Sequence, residues 1–372
     1  MMKKQKQQKK PLIIVTTGGS GGHIFPAEAI AAALVEQNAD VVFITDKRGS
    51  AFQGMKNVPV YRLMAESVTG RSIFGKILAA IKLYIGTAQA VYLMYKLKPN
   101  AVVGVGGYAS IPAVMAAHLT RYIPVVLHEQ NAVLGRANRL LARGTKLIGT
   151  SFAPTQRVPD NVPQIQVGLP VRPAVLMYRN EPYPKIKSAF HLFIFGGSQG
   201  ARFFSQQLPK ALVALPEKQR SQMEIVQQVR PEDMEVAQAF YEKAGFRKVT
   251  LKPFFTDMPE QLKKAHLVIG RGGAGTLTEL MAVGRPAIIV PLPSAADNHQ
   301  AENARIFCDQ GAGWLVAEKD FVPEKFAERL SNLMDQPELL AEAARHAAAH
   351  YPEKAAEKMA GAVLDIIKGS RK

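Results

Sequence analysis

Cysteine is nearly absent from this chain. A single residue, Cys308, excludes any intrachain disulfide and fits a reducing compartment. Acid is missing from one long interval, since no Asp or Glu occurs between Glu66 and Glu129. Long apolar runs are scarce as well. None approaches the roughly 18 residues of a spanning helix, so a soluble or surface-bound protein is expected. The run at residues 12–15, after a lysine-rich start, is too short for the apolar centre of a secretory signal. Two spacings are also missing. The first glycine cluster, residues 18–22, lacks the Gly-x-Gly-x-x-Gly spacing, which disfavours a nicotinamide enzyme there. No Asp-x-Asp stands at a strand end, where a pair of carboxylates would suggest a divalent metal.

What is present is positive charge, placed unevenly. Residues 1–170 hold 20 Lys and Arg against 7 Asp and Glu, whereas residues 171–372 hold 27 against 23. A negatively charged partner (nucleic acid, anionic lipid or a phosphorylated substrate) is therefore expected at the first half. Interleaved aromatics and any nucleic-acid-binding motif are lacking, so nucleic acid is the disfavoured choice. At 372 residues, 47% apolar and 21% charged, the chain should form about two globular domains.

The stretch at residues 266–303 organises the second half. Leu267, Val268 and Ile269 read as a short buried strand, broken by the turn Gly270-Arg271-Gly272-Gly273-Ala274-Gly275. A helix is expected from Thr276, with Glu279 one turn in, and a second strand at residues 287–290. A helix N-terminus after a glycine turn presents unpaired N–H groups and favours an anion. Glu279 is then placed to accept from a ribose diol, while residues 296–300 supply a polar loop after the next strand. Strand–glycine–helix junctions are also ordinary scaffolding, but ligands in open α/β sheets gather at the carboxyl ends of strands.

The same pattern recurs along the chain. A strand at residues 12–15 runs into Thr16 to His23, then an alanine-rich helix from about Pro26 and a strand at residues 41–44, which is βαβ. Strands at residues 101–105 and 124–127 lead into Gly106-Gly107-Tyr108 and His128-Glu129-Gln130-Asn131. A strand at residues 191–195 repeats the opening with Gly196-Gly197-Ser198-Gln199-Gly200-Ala201. Residues 167–173, bounded by prolines, read as a linker. Between them, residues 70–98 carry Phe74, Ile77, Leu78, Ile81, Tyr84 and Ile85 at helical spacing beside Arg71, Lys76 and Lys82. Two readings stand for this segment: a core-facing amphipathic helix, or a basic-rimmed patch for a membrane surface.

Taken in order, Thr17 to His23, Gly106-Gly107-Tyr108, His128 to Asn131, Gly196 to Ala201 and Asp297-Asn298-His299-Gln300 closely resemble the MurG family of bacterial glycosyltransferases. The likeness covers nearly the whole chain. It implies an α/β fold of the GT-B type, two Rossmann-like doubly wound domains facing a cleft. It further implies an inverting hexosyltransferase that moves N-acetylglucosamine from UDP-GlcNAc to the 4-hydroxyl of the N-acetylmuramoyl residue of lipid I, giving lipid II for peptidoglycan. The alternative is another GT-B UDP-sugar transferase or a UDP-GlcNAc epimerase, which would explain the glycine loops but not residues 70–98.

Carried over by motif, the donor contacts fall on Ser20, Gly21, Gly22, Asn131, Arg172, Ser198, Phe255, Ala274, Gly275, Thr276, Leu277, Thr278, Glu279 and Gln300. Catalysis falls on His23 as the base, with Glu129 second; a structural role for His23, closing its loop, stays open. A membrane patch of Phe74, Ile77, Ile81, Lys76 and Lys82 implies peripheral attachment to the cytoplasmic face of the plasma membrane. No metal and no cofactor are expected, because helix ends, glycine loops, Ser198 and Arg172 can meet the charge of a departing UDP. Departures from the family pattern are small: Ser20 for threonine, Leu169 for asparagine, Phe255 for an aliphatic residue, and Gly272 with Gly275, which should loosen the donor turn. The expected layout is a basic disordered tail at 1–10, an acceptor- and membrane-facing domain at 11–170 joined by a returning helix at 345–372, and a UDP-sugar domain at 171–344.

Overall fold

The structure, a computed structural model, describes residues 10–18, 21–47, 55, 57–66, 72–197 and 202–370. Ser20, Ser198, Arg71 and the tail at 1–9 lie outside the described residues. The chain divides into two compact units, residues 1–170 with 352–372 and residues 171–351.

Among the described residues, the first unit is built on a seven-stranded parallel sheet. Its strands are β1 (Leu12–Thr16), β2 (Asp40–Thr45), β3 (Val60–Arg62), β4 (Ala101–Gly104), β5 (Val125–Glu129), β6 (Leu147–Thr150) and β7 (Gln164–Gln166), in the order β3-β2-β1-β4-β5-β6-β7. Ile14 pairs with Val42 on one side and Val102 on the other. The central strands are continuous β-branched runs because helices cover both faces of the sheet. Strand order reverses between β1 and β4, which is where a doubly wound sheet opens a crevice for ligands. The helices are α1 (Gly21–Glu36), α2 (Ile73–Leu97), α3 (Ile111–Thr120) and α4 (Arg136–Leu141).

Helix α2 departs from expectation. At 25 residues it is long and apolar enough to cross a membrane by length and composition, where the sequence had suggested no such run. Lys76 and Lys82 interrupt the apolar run in sequence without ending the helix. Ala79, Gly86, Ala90, Leu93 and Met94 are its buried face, packed on α3. Gly86 has to be glycine: a Cβ there would stand 1.9 Å from the Met64 carbonyl oxygen. The opposite face of its first half is bare.

Among the described residues of the second unit, six parallel strands repeat the plan: β8 (Phe190–Phe195), β9 (Met223–Gln228), β10 (Lys248–Lys252), β11 (Leu267–Gly270), β12 (Ala287–Ile289) and β13 (Gly313–Leu315), in the order β10-β9-β8-β11-β12-β13. The reversal falls between β8 and β11. Around them lie α5 (Pro173–Leu176), α6 (Arg202–Val213), α7 (Glu217–Arg220), α8 (Met234–Glu242), α9 (Met258–Lys264), α10 (Ala274–Val283), α11 (His299–Asp309), α12 (Pro323–Asp335) and α13 (Pro337–Ala349). Arg285 is fully buried, with no ion pair to a carboxylate among the described residues. Instead its guanidinium donates to the Leu262, Lys263, Val283 and Gly284 carbonyls, capping the C-terminal ends of α9 and α10 together.

The returning helix is α14 (Ala355–Gly369), and the expected boundary at residue 345 is corrected. Residues 345–351 stay with the second unit, because α13 continues to Ala349 and packs on α10. Met359, Ala360, Val363 and Ile367 of α14 join the core of Ile30, Leu34 and Val103 in the first unit. Burying a side chain such as Met359, Val363 or Ile367 contributes about 1.5–3 kcal/mol.

Candidate functional site

In the first unit, three loops at the carboxyl ends of β1, β4 and β5 interlock around His23. Thr17 ties the first loop, its Oγ1 donating to the His23 carbonyl at 3.1 Å, while the Gly18 N–H donates to Gly106 O at 3.1 Å. Gly106 and Gly107 have φ of 84° and 79°, which disfavours any side chain. A Cβ on Gly106 would meet the His23 ring at 3.2 Å, and one on Gly107 would meet the Gly18 backbone at 2.9 Å. The second loop is glycine so that it can approach the imidazole closely.

His23 is the third residue of α1, half-buried, with Nδ1 3.2 Å from Val105 O and 2.9 Å from the Gln130 carboxamide. Burial pushes its pKa below the ordinary 6.5, with the Glu129 carboxylate and the Val105 carbonyl pulling the other way. Its place at a helix N-terminus also opposes a positive charge. The ring is thus held neutral at neutral pH. His128 is neutral for the same reason, its Nε2–H donating to Gly168 O at 2.9 Å and its Nδ1 lone pair buried without a partner.

Glu129 is 3% exposed, and its oxygens are occupied by its own loop. They accept from the Asn131 N–H (3.0 Å), Asn131 Nδ2 (3.3 Å), the Gly135 N–H (2.9 Å) and Asn138 Nδ2 (2.8 Å). Four donors fill the lone-pair sites of a carboxylate. In this arrangement Glu129 anchors the loop after β5 and orients Asn131, a task different from the second base that the sequence suggested. Gln130 and Asn138 were not among the expected site residues. Gln130 stood in plain view beside Glu129; Asn138 lies one loop further on with no motif to mark it.

In the second unit, β11 runs into the glycine turn and α10 begins at Ala274, two residues before the expected Thr276. Its N-cap is Gly273, and no side chain caps the helix, so the N–H groups of Ala274, Gly275 and Thr276 are left for a ligand. Leu277 and Thr278 are buried behind them. The turn is not loosened by both glycines. Gly275 has open space around it, but a Cβ on Gly272 would stand 2.3 Å from the Gln300 carbonyl oxygen. Gly272 is there for close approach to α11, and Asn303 Nδ2 donates to its carbonyl at 3.0 Å. Arg271 is buried, donating to Val290 O (3.0 Å) and Pro291 O (3.3 Å), with Glu318 at 2.6 Å. Gln300 Oε1 accepts from the Leu292 N–H at 3.0 Å. Both fix the polar loop after β12 against the turn.

Glu279 and Arg172, expected to serve separate parts of a donor, are joined here. Arg172 Nε and Nη2 donate to the two Glu279 oxygens at 2.7 and 2.9 Å. This hydrogen bond holds the guanidinium pKa above its ordinary value. The Phe255 ring is buried edge-on against Phe193, so only its backbone is on offer. Gln228, unmarked in the sequence, receives the Gly196 N–H at 3.1 Å and donates to Pro253 O at 3.2 Å, tying the loops after β8 and β10. A cavity of about 670 Å³ lies on the β8–β10 face, lined by His191, Glu224, Lys248, Lys252 and His266; of the expected donor residues it reaches only Phe255. It is not where the glycine turn and helix end converge.

Two parallel sheets, one of seven strands in the order 3-2-1-4-5-6-7 and one of six in the order 3-2-1-4-5-6, each with a glycine loop at its switch point, have the layout of the GT-B fold. Residues 13–150 match the Glycosyltransferase family 28 N-terminal domain and residues 191–359 its C-terminal domain. The UDP-N-acetylglucosamine–N-acetylmuramyl-(pentapeptide) pyrophosphoryl-undecaprenol N-acetylglucosamine transferase of Rhodospirillum centenum is 47% identical, covering 93% of this chain and 92% of its own. That of Rhodospirillum rubrum is 45% identical over 92% and 89%. The crystal structure of Acinetobacter baumannii MurG superposes with a TM-score of 0.76 at 31% identity, covering 96% of this chain and all of that one. The chain belongs to glycosyltransferase family 28 and, within it, to the MurG family.

The buried histidines give one expectation about stability. His266 is pushed down to about 4 by burial, with His191 adding to the shift, and His23 and His128 are lowered too. Each takes up a proton near 6.5 when unfolded but resists it when folded, so stability is lost as pH falls below 6.5. For His266 alone the loss by pH 5 is on the order of 2 kcal/mol. Urea midpoints should therefore drop clearly between pH 7.5 and pH 5; equal midpoints would contradict the burial of neutral imidazoles.

Proposed function

We propose that the protein transfers N-acetylglucosamine from UDP-N-acetylglucosamine to an N-acetylmuramyl-(pentapeptide) pyrophosphoryl-undecaprenol acceptor, inverting the anomeric carbon. The observation that carries this reading is the 47% identity with the R. centenum transferase across 93% of the chain.

The departing UDP is an anion, and the free N–H groups at the start of α10 are oriented donors that need no reorganisation to meet it. Glu279 accepts the ribose hydroxyls. Because Glu279 holds Arg172 in a bidentate pair, donor binding exchanges that pair: hydroxyls replace the guanidinium on the carboxylate, and Arg172 turns to the diphosphate. In the second unit Gln300 and the Phe255 backbone, with Ser198 by its motif, also serve the donor; in the first unit Gly21, Gly22 and Asn131 do, with Ser20 by its motif. Neutral His23 takes the proton of the acceptor hydroxyl through Nε2. A filter-binding comparison of labelled UDP-GlcNAc, other UDP-sugars and duplex DNA tests the class. UDP-GlcNAc should be retained in preference; retention of DNA with no sugar nucleotide would overturn the reading.

The exposed face of α2 supports a site of action at a membrane surface. Phe74 is 78% exposed, Ile77 54% and Ile81 49%, with Lys76 exposed alongside. Lys82 contributes less charge than its sequence suggests, because its Nζ is 2.7 Å from Glu66. An undecaprenyl acceptor stays in the bilayer, so the protein docks peripherally on the cytoplasmic face of the plasma membrane, with apolar side chains inserted and basic ones at the headgroups. Changing Phe74, Ile77 and Ile81 together to serine should abolish binding to anionic vesicles while sparing turnover of a short-chain acceptor. Their exposure predicts an unaltered circular dichroism spectrum. Vesicle binding that survives in the folded triple variant would remove α2 from the docking surface.

A further inference from the structure

Among the described residues, His23 Nδ1 has two hydrogen-bonding neighbours, Val105 O at 3.2 Å and the Gln130 carboxamide, placed with Nε2 toward the ring, at 2.9 Å. A carbonyl oxygen can only accept. The contact with Val105 is therefore attractive only if Nδ1 carries the hydrogen. Gln130 must then present Oε1, not its NH2, to the same hydrogen; the two ends of a carboxamide exchange by a half-turn without changing shape. The reverse arrangement, with the Gln130 amide donating to a bare Nδ1, would leave the Val105 oxygen aimed at a lone pair. Nδ1–H shared between two carbonyl oxygens fixes the tautomer, and the lone pair is left on Nε2.

Gln130 is well held for this. It is 8% exposed, between Glu129, whose carbonyl accepts from the Ser151 N–H and Oγ at 2.9 Å each, and Asn131, whose N–H is held by the Glu129 carboxylate. Gly106 packs close to the ring, where a Cβ would stand 3.2 Å from it. We propose that Gln130 is a positioning residue: it holds His23 with its proton on Nδ1 and Nε2 free to receive the acceptor's proton. This rests on the reading of His23 as the base. The charged and titratable groups facing the ring are Glu129 and His128, and neither touches Nδ1.

The test pairs spectroscopy with kinetics. With 15N-labelled histidine in the full-length protein, His23 should show the Nδ1–H tautomer, and Gln130→Ala should introduce the Nε2–H form. The same substitution should lower kcat roughly ten- to a hundredfold, with donor KM unchanged. Gln130→Glu keeps an acceptor against Nδ1–H and adds a charge that favours the imidazolium, so the acid limb of kcat/KM should move up by about a unit or more. A merely structural glutamine would shift neither tautomer nor limb. An Nε2–H tautomer in the wild type, or a limb that stays in place in Gln130→Glu, would overturn the proposal. If the tautomer result holds while His23→Ala turns over normally, the base reading has failed and the hold on the ring stands.

Discussion

His23→Ala is expected to lower kcat by about 10²–10⁴-fold, the range that a lost general base costs, with UDP affinity essentially unchanged. The separation follows from where the residue sits. His23 belongs to the unit of residues 1–170, whereas the α10 turn and the Arg172–Glu279 pair belong to residues 171–351. The pH profile gives an independent check. Burial lowers the imidazole pKa below 6.5, and a base must be unprotonated. The acid limb of kcat/KM should therefore lie below 6.5, with activity falling as pH drops through it. In His23→Ala that limb should vanish from the residual rate. Stability matters to the interpretation, because the ring is wedged against Gly106. His23→Gln, which keeps a polar side chain of similar reach, should fold as the wild type does and remain equally slow. Near-normal turnover by either variant would return His23 to the role of closing its loop.

The second large effect is expected at Glu279. Glu279→Ala should weaken UDP binding by about 1–3 kcal/mol, the cost of depriving a buried diol of its acceptor, read as a matching rise in donor KM. The structure makes the comparison with Arg172 informative. Arg172 is 46% exposed on its side chain, so losing its partner costs the fold little. In the other direction, Arg172→Ala leaves the mostly buried Glu279 carboxylate without its guanidinium. If donor binding exchanges the pair, the two single substitutions and the double variant should not add, because each residue is released by the ligand meant for the other. Calorimetry giving unchanged UDP affinity in Glu279→Ala would remove it from the ribose site. Strict additivity would argue that the pair is never exchanged.

How much of this could be read beforehand differs from residue to residue. Strands β1, β4, β8 and β11 were plain, since short apolar runs ending in glycine have few other uses, and their loops pointed to both switch points. The Arg172–Glu279 pair was not plain: the partners are 107 residues apart, and each alone suited a role toward substrate. The contacts of His23 with Val105 and Gln130 span 82 and 107 residues, and no local pattern encodes them. Gly272 looked like freedom and proved to be close packing, because the atom it avoids, Gln300 O, arrives from another helix. Helix α10 started early for a local reason: glycine and alanine carry no side chain that opposes a first turn, so Ala274 and Gly275 join the helix. The long α2 was obscured by its own lysines, which break an apolar run on paper but do not end the helix.

The central claim is sugar transfer to a lipid-linked muramyl acceptor, and one incubation addresses it. Purified protein, UDP-GlcNAc labelled in the sugar and a short-chain muramyl-pentapeptide pyrophosphoryl lipid are mixed, and the label is followed by chromatography and proton NMR. The account predicts that the label moves to the acceptor in a β-linkage with stoichiometric release of UDP, and that no label moves with His23→Ala on the same timescale. Label that stays on the nucleotide as a C2 epimer, or appears as free sugar with the acceptor untouched, would contradict it.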